Sequence, residues 1–165
     1  MKRFNTKIFL SVVFVFLTSC NSTAVKRNDY PHALVTKVAD GDTFTVLLNA
    51  RSERIRLFGI DCPELKQPYG QKAKAYTFDR VFQKRVQLIQ RDRDKYDRLV
   101  AEVILPTGEN LNQNLVQEGL CYWYRQHAKD YRALEEFEKE ARTNRRGVWS
   151  KSLMKPWQWR KLNPR

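Results

Sequence analysis

Residues 55–64 read Ile55-Arg56-Leu57-Phe58-Gly59-Ile60-Asp61-Cys62-Pro63-Glu64, and the rest of the chain is organised around them. Apolar residues alternate with arginines in the first part, which at a period of two places guanidinium groups on one face of a strand. Gly59 and Pro63 bracket Asp61, and the proline restricts both its own φ and the backbone of Cys62. We therefore predict a strand that ends in a rigid corner carrying an arginine, two carboxylates and an exposed carbonyl, which are groups suited to cation and phosphate chemistry.

The first 19 residues have the layout of an export signal. A basic start precedes an apolar run over residues 8–17, which is too short to span a bilayer comfortably as a permanent helix. The run ends in Leu17-Thr18-Ser19-Cys20, which resembles the lipobox of bacterial lipoproteins, in which the cysteine carries the lipid. The alternative is an ordinary cleaved signal. We interpret the polar residues 20–31 as a tether to the folded domain.

A lipid on Cys20 would anchor the exported protein in the bacterial cell envelope. The next residue, Asn21, is not the aspartate that usually retains lipoproteins at the inner membrane. We therefore expect the outer membrane where a cell has two membranes.

The charge balance favours a polyanionic partner. Residues 1–19 carry three of the 31 Lys and Arg and none of the 18 Asp and Glu, so the remainder keeps a formal charge of +10. A balance of this size points to nucleic acid or anionic lipid as the partner, although it does not bear on the fold. About one domain's length remains after the signal, which is enough for a single core.

Alternating hydrophobicity predicts five barrel strands. The turn Asp40-Gly41-Asp42 joins the first two, and three short strands in succession favour an antiparallel meander or barrel. The predicted strands span residues 32–38, 43–48, 52–60, 86–89 and 98–105, with a further short pairing segment over 120–124.

Helical periodicity appears between and after these strands. We predict a helix over residues 68–85 that packs Ala75, Phe78 and Phe82 on the sheet, followed by helices around 111–116 and over 130–143. The pattern favours an α+β domain over residues 32–150, built on a partly open five-stranded Greek-key barrel of the OB type with about three helices. Residues 151–165 form a basic tail that contains Trp157 and Trp159.

Carboxylates at loop ends are the informative polar groups. Asp42 closes the first hairpin, and Asp61 and Glu64 lie at the corner, so that three oxygen donors suit a hard cation. The two histidines, His32 and His127, are far apart, which gives little support to a zinc site or a histidine-activated nucleophile. The chain contains no phosphate-cradling Gly-rich loop or nucleophile elbow. Each carboxylate alone has an ordinary explanation as a turn former or a solvated loop acid.

Together, the motifs resemble the staphylococcal (micrococcal) nuclease family, also called thermonucleases. The combination of Asp-Gly-Asp-Thr with Arg-Leu-x-x-Ile-Asp-x-Pro-Glu is specific to it. The resemblance implies an OB-fold barrel and a calcium-dependent, low-specificity nuclease that hydrolyses phosphodiester bonds of DNA and RNA to 3′-phosphate products. The matching stretches follow the family's order and cover nearly all of residues 33–150: Val38-Ala-Asp-Gly-Asp-Thr-Phe-Thr-Val46, residues 55–64, Tyr69-Gly-Gln-Lys-Ala73, Lys95-Tyr-Asp-Arg98, Asn114-Leu-Val-Gln-Glu-Gly-Leu120 and Gly147-Val-Trp149.

The resemblance also implies a calcium site. The carboxylates of Asp42 and Asp61 and the backbone carbonyl of Cys62 would be the ligands. Cys62 stands where the family often has threonine, a change that a carbonyl ligand tolerates. Asp40 would support the ligands from behind.

Catalytic roles follow from the same resemblance. Arg56 and Arg98 would grip the scissile phosphate and stabilise the charge of the transition state. Glu64 would orient or deprotonate the attacking water, two roles that a sequence does not distinguish. Tyr96 matches a nucleotide-contacting tyrosine of the family. Further nucleotide-contacting tyrosines align instead with Arg125 and His127, although Tyr122, Trp123 and Tyr124 precede them closely.

Two cysteines remain besides Cys20. In an exported protein, Cys62 and Cys121 favour a disulfide, and the alternative is two buried thiols. The family's barrel would place them on neighbouring segments, which supports the bridge. The tail resembles the ending of bacterial family members; its tryptophans would either contact nucleic acid or pack against the barrel.

The leading hypothesis is therefore an exported, lipid-anchored, monomeric nuclease. An inactive OB-fold module that binds nucleic acid is an alternative from a different class. A basic protein that binds anionic envelope surfaces is a third possibility.

Overall fold

The computed structural model of the protein describes residues 30–164. The predicted signal peptide, the lipidation site Cys20 and nearly all of the tether lie outside these residues and stay predictions. Within the described residues, no helix is long and apolar enough to cross a membrane.

The strand segments form a closed barrel and a small separate sheet. Five strands close the barrel in the order β1-β2-β3-β6-β5, and β5 pairs back to β1. The β3–β6 pair is parallel, and the other barrel pairs are antiparallel. The strands are β1 (His32–Val38), β2 (Thr43–Leu48), β3 (Arg51–Leu57), β4 (Ile60–Asp61), β5 (Arg85–Arg93), β6 (Leu99–Ile104) and β7 (Tyr122–Trp123), of which β4 and β7 form the separate sheet.

Alternate residues of the barrel strands fill its interior, as the period of two predicts. Val35, Phe44, Val46, Ile55 and Leu88 are all 0–1% exposed. The predicted α+β class with an OB-type barrel is confirmed, and the barrel is closed rather than partly open. The described residues contain four α-helices rather than about three: α1 (Gly70–Val81), α2 (Leu111–Gln117), α3 (Arg132–Thr143) and α4 (Pro156–Leu162).

The predicted buried face of α1 was wrong for Ala75 and Phe78. Ala75 and Phe78 point to solvent, and Phe78 stacks on Phe82 with ring centroids 4.3 Å apart. The face that packs on the barrel is lined by smaller residues: Gly70, Ala73, Thr77 and Val81. The buried Thr77 hydroxyl donates to the carbonyl of Gly41 at 2.7 Å. This face carries small side chains because α1 lies very close to the first hairpin. A Cβ atom added to Gly41 would lie only 2.8 Å from the Cβ of Ala73.

The tail folds back toward the corner and ends in α4, which the sequence did not predict. Two contacts tie the preceding segment to the start of α1: Gln67 Nε2 donates to the carbonyl of Met154 at 3.0 Å, and the Tyr69 and Ser150 hydroxyls are 3.0 Å apart. Trp157 packs on Tyr124 with ring centroids 5.6 Å apart. For this tryptophan, packing against the protein is the alternative that the structure supports.

Candidate active site

The first hairpin and the corner are joined at Asp42. Its carbonyl accepts the N–H of Leu57 at 2.9 Å, and its Oδ2 accepts the N–H of Cys62 at 2.7 Å. The hydroxyl of Thr43 donates to Oδ1 at 3.1 Å. The carboxylate is therefore held by Thr43 of the hairpin and by Cys62 of the corner, and Asp42 is only 7% exposed.

The turn at Gly59 places Asp61 near Asp42, so that Arg56 contacts both carboxylates. Gly59 has a φ of +75°, which favours glycine, and a Cβ there would lie 2.9 Å from side chains of Ala128 and Leu134. After this turn β4 pairs with β7, with Asp61 opposite Tyr122. The pairing holds the Asp61 side chain at 1% exposure.

Arg56 lies between these two carboxylates. Its Nη2 donates to Oδ1 of Asp61 at 3.0 Å, and its Nη1 lies 2.7 Å from Oδ2 of Asp42. The contact of Nη1 is an ion pair without the alignment of a hydrogen bond. Within the described residues, the N–H groups of this buried nitrogen therefore have no hydrogen-bond acceptor. The side chain is 15% exposed. An oxyanion such as a phosphate can take up donors of this kind.

Asp40 contacts the backbone of Asp42. Its Oδ1 accepts the N–H of Asp42 at 3.1 Å. Burial, together with the negative charge of Asp42, raises the pKa of Asp40 to about 6. Burial also raises the pKa of Asp61, and Arg160 and Arg56 oppose that rise. The corner therefore gathers more negative charge than its buried position favours, which suits a cation.

Glu64 is held by its backbone. Its N–H donates to Oε1 of Gln67 at 2.9 Å, and its carbonyl accepts the N–H of Gln67 at 2.7 Å. The first residue of α1 presses on the same carbonyl, because a Cβ on Gly70 would lie 2.1 Å from it. The carboxylate, 24% exposed, accepts a hydrogen bond from Arg160 at 3.0 Å. The Glu64 carboxylate is therefore carried by a backbone that Gln67 holds in place, and it lies beside Arg160.

Arg160 of α4 is the site residue that sequence reasoning missed. Its Nη1 donates to Oδ1 of Asp61 at 3.1 Å, and its Nη2 donates to Oδ2 at 2.7 Å. Nη1 also reaches Oε1 of Glu64. The sequence does contain a signal for the helix that carries Arg160. Lys155-Pro156 places a proline at a first helical position, and an amphipathic turn that ends in arginine follows.

The ion-pair partner of Arg98 is Asp94, which is not a member of this cluster. Its Nε and Nη2 both lie 2.7 Å from Oδ2 of Asp94, and its N–H donates to the other oxygen of that carboxylate. No hydrogen bond or ion pair joins it to the corner within residues 30–164. Its guanidinium lies 5.5 Å from the ring centroid of Tyr96, which is 64% exposed. The parallel register sets Val100 beside Arg56, so Arg98 lies two residues before that neighbour.

Cys62 and Cys121 form a disulfide in the structure, with Cα atoms 4.1 Å apart. The bridge lies beside the β4–β7 pair, where Ile60 faces Trp123 and Asp61 faces Tyr122. It therefore links the corner to the segment that enters β7.

We expect Cys121→Ser to lower the free energy of unfolding by about 4 kcal/mol, the chain-entropy contribution of a loop of this length. The two cysteines are 59 residues apart, and the cross-link restricts the unfolded chain. Chemical denaturation of the oxidised protein and of the variant measures the difference. Wild-type protein in reductant is the matched control and should behave like the variant. Equal stability of oxidised wild type and variant would show that the bridge does not form in solution.

Comparison with known proteins identifies the family. A family model described as staphylococcal nuclease homologue matches residues 54–151. The chain belongs to the staphylococcal nuclease family. It is 38% identical to a protein named micrococcal nuclease from Shigella flexneri, over 78% of this chain and 80% of the relative. It is also similar to proteins named uncharacterized endonuclease, from Escherichia coli O157:H7 at 38% identity over 78% of this chain and 84% of the relative, and from Haemophilus influenzae at 33% over 95% and 86%. The resemblance stated from the motifs is thereby confirmed.

The corner of this staphylococcal nuclease homologue has the chemistry of a hard-cation site. Asp42 and Asp61 offer carboxylate oxygens, which are the donors that calcium and magnesium prefer. The guanidinium of Arg160 stands as a cation between Asp61 and Glu64. Within the described residues, no group of three or more acidic, histidine or cysteine side chains is already arranged around one point for a metal ion. The donor types suit a divalent cation, while Arg56 and Arg160 occupy the carboxylate oxygens in this structure.

The positions aligned with nucleotide-contacting tyrosines lie in a 3-10 turn, Arg125–His127, directly after β7. Arg125 pairs with Glu135 at 2.8 Å and covers the ring of Trp123. Aromatic rings are nonetheless present nearby, because Tyr124 lies between His127 and Trp157, with centroids 4.7 and 5.6 Å away.

Proposed function

We propose that this protein is a calcium-dependent nuclease of low sequence specificity that hydrolyses phosphodiester bonds of DNA and RNA to 3′-phosphate products. The observation that carries the proposal is the meeting of Asp42, Arg56, Asp61 and Glu64 at one corner, linked by hydrogen bonds and ion pairs. Family membership supports the reaction class, since the similar bacterial proteins are named nuclease or endonuclease. The charge of the chain, formally +13, suits a nucleic-acid substrate.

Asp42, Asp61 and the carbonyl of Cys62 would hold the cation. When bound, calcium would act as a Lewis acid on the scissile phosphate and offset its charge. Asp40 keeps Asp42 oriented through the N–H bond that it accepts.

Arg56 would bind the phosphate through the N–H groups of Nη1 that no hydrogen bond occupies. Glu64 would orient the attacking water or accept its proton as the water oxygen bonds to phosphorus. The bond from phosphorus to the 5′ oxygen then breaks, which leaves a 3′-phosphate and, after protonation, a free 5′-hydroxyl. Arg98 would join Arg56 on the phosphate, while Tyr96 beside it would contact the nucleotide.

The cellular location belongs to the same proposal. A monomer anchored through a lipid on Cys20 would act on nucleic acid outside the cytoplasm. The support is the sequence pattern of residues 1–20, with a basic start, an apolar run and a lipobox. Labelling of cells with a radioactive fatty acid checks it, since Cys20→Ser should abolish incorporation into the protein.

Digestion of single-stranded and duplex DNA and of RNA by the purified protein tests the activity. We expect cleavage with calcium, much less with magnesium and none with chelator, since calcium accepts irregular sets of oxygen ligands whereas magnesium demands near-ideal octahedral geometry. End analysis should find 3′-phosphates. Tight, salt-sensitive binding without cleavage in any metal would favour the OB-fold binding module instead.

A further inference from the structure

The contact between Arg160 and Asp61 is in conflict with a cation on the same carboxylate. A carboxylate offers about four lone-pair sites. Three hydrogen bonds already end on Asp61, one from Arg56 and two from Arg160. A divalent ion bound there would also be repelled by a guanidinium a few ångströms away, because like charges interact strongly in a poorly solvated site.

The two arginines on Asp61 differ in how easily they can leave. Arg56 belongs to a barrel strand, and its side chain is 15% exposed. The Arg160 side chain is 40% exposed and is carried by a helix of seven residues near the end of the chain. The guanidinium of Arg160 therefore has more direct access to solvent than that of Arg56, and a rotation of the side chain would carry it from Asp61 into water.

The rest of α4 is anchored independently of Arg160. Pro156 is buried, Trp157 packs on Tyr122 and Tyr124, and Gln67 binds the segment before the helix. Release of the guanidinium therefore does not require the helix to detach. The freed side chain would remain beside the corner, within reach of a phosphate bound there.

We propose that Arg160 is a further phosphate-binding residue of the site, an inference that rests on the proposed function. Without a cation its guanidinium pairs with Asp61 and Glu64, and a divalent cation would displace it. Arg160 contacts the corner carboxylates directly, whereas the ion-pair partner of Arg98 is Asp94. The planar guanidinium suits both partners, because carboxylate and phosphate oxygens accept the same paired donors. The cation and the arginine then exchange places on Asp61 before the substrate is gripped.

This exchange predicts opposite effects of one substitution on two measurements. In the purified full chain without nucleic acid, Arg160→Gln should bind calcium about three- to tenfold more tightly than wild type, because a competing, partly screened charge is removed. At saturating calcium, the same variant should lose about tenfold or more in kcat/KM on single-stranded DNA, and Arg160→Lys should recover part of it. Calorimetry measures the first quantity and initial rates measure the second.

Lys161→Gln is the matched control, since it removes one positive charge from the neighbouring, exposed position of the same helix. It should leave the calcium affinity and kcat/KM near the wild-type values. The inference is overturned when Arg160→Gln matches this control in calcium affinity, binds calcium more weakly, or keeps the wild-type kcat/KM. A wild-type protein that binds calcium without cleaving nucleic acid contradicts the proposed function instead, and the affinity measurement still reports on the exchange.

Discussion

Replacing Glu64 by glutamine should lower kcat by about 10³-fold, near the middle of the range for loss of a positioned general base. Glutamine keeps the size of the side chain and can still accept the hydrogen bond from Arg160, but it neither takes a proton nor attracts one. The backbone contacts with Gln67 are unaffected by the substitution, so the fold of the corner should persist. Single-turnover cleavage at saturating calcium measures the loss in the chemical step.

Two comparisons make the Glu64 result interpretable. Glu136→Gln removes a carboxylate from the exposed face of α3 and should leave kcat unchanged. The pH dependence tests whether the ionised Glu64 carboxylate takes part: its protonation contributes an acidic limb to the rate profile, and that contribution should be missing in the variant. Wild-type rates in Glu64→Gln would remove this residue from the mechanism altogether.

Arg56→Lys should lower kcat by about 10³-fold although the charge is kept, a loss within the range found for arginines that stabilise phosphoryl transition states. One ammonium cannot reproduce the contacts that two guanidinium nitrogens make with Asp42 and Asp61 while also serving a phosphate. Nη1, whose N–H groups are unsatisfied, is the part that lysine cannot replace.

Arg54→Lys is the control for Arg56, because Arg54 lies on the same strand and is exposed. It should retain nearly the wild-type rate. Circular dichroism and thermal unfolding of Arg56→Lys check that the barrel survives. A loss of less than tenfold in kcat would indicate that another group, such as Arg98 or Arg160, carries the transition-state charge.

The barrel was predictable because its determinants are local. A period of two in the strands, the Asp-Gly turn and the Gly59 and Pro63 bracket each act within a few residues. The carboxylates at the two loop ends then meet because β2 and β3 pair, with Thr43 opposite Arg56. Asp42, Arg56 and Asp61 entered one proposal through the resemblance of their motifs to the nuclease family, because each residue taken alone has an ordinary explanation.

Other features depend on distant parts of the chain and escaped the sequence. The buried face of α1 is decided by how closely the first hairpin approaches, which favours Thr77 over the larger Phe78. The role of Arg98 at the phosphate stays a prediction; its ion-pair partner in the structure is Asp94, four residues away. Arg160 reaches Asp61 across 99 residues, and no local pattern encodes that contact.

The position of Arg160 also bears on how the protein is synthesised. The ribosome completes every other residue of the corner long before it adds α4, so a chain that stops early keeps the carboxylates and loses their partner. The helix that carries Arg160 is thus the last part of the corner to be made, and the cluster of charges is incomplete until it folds back.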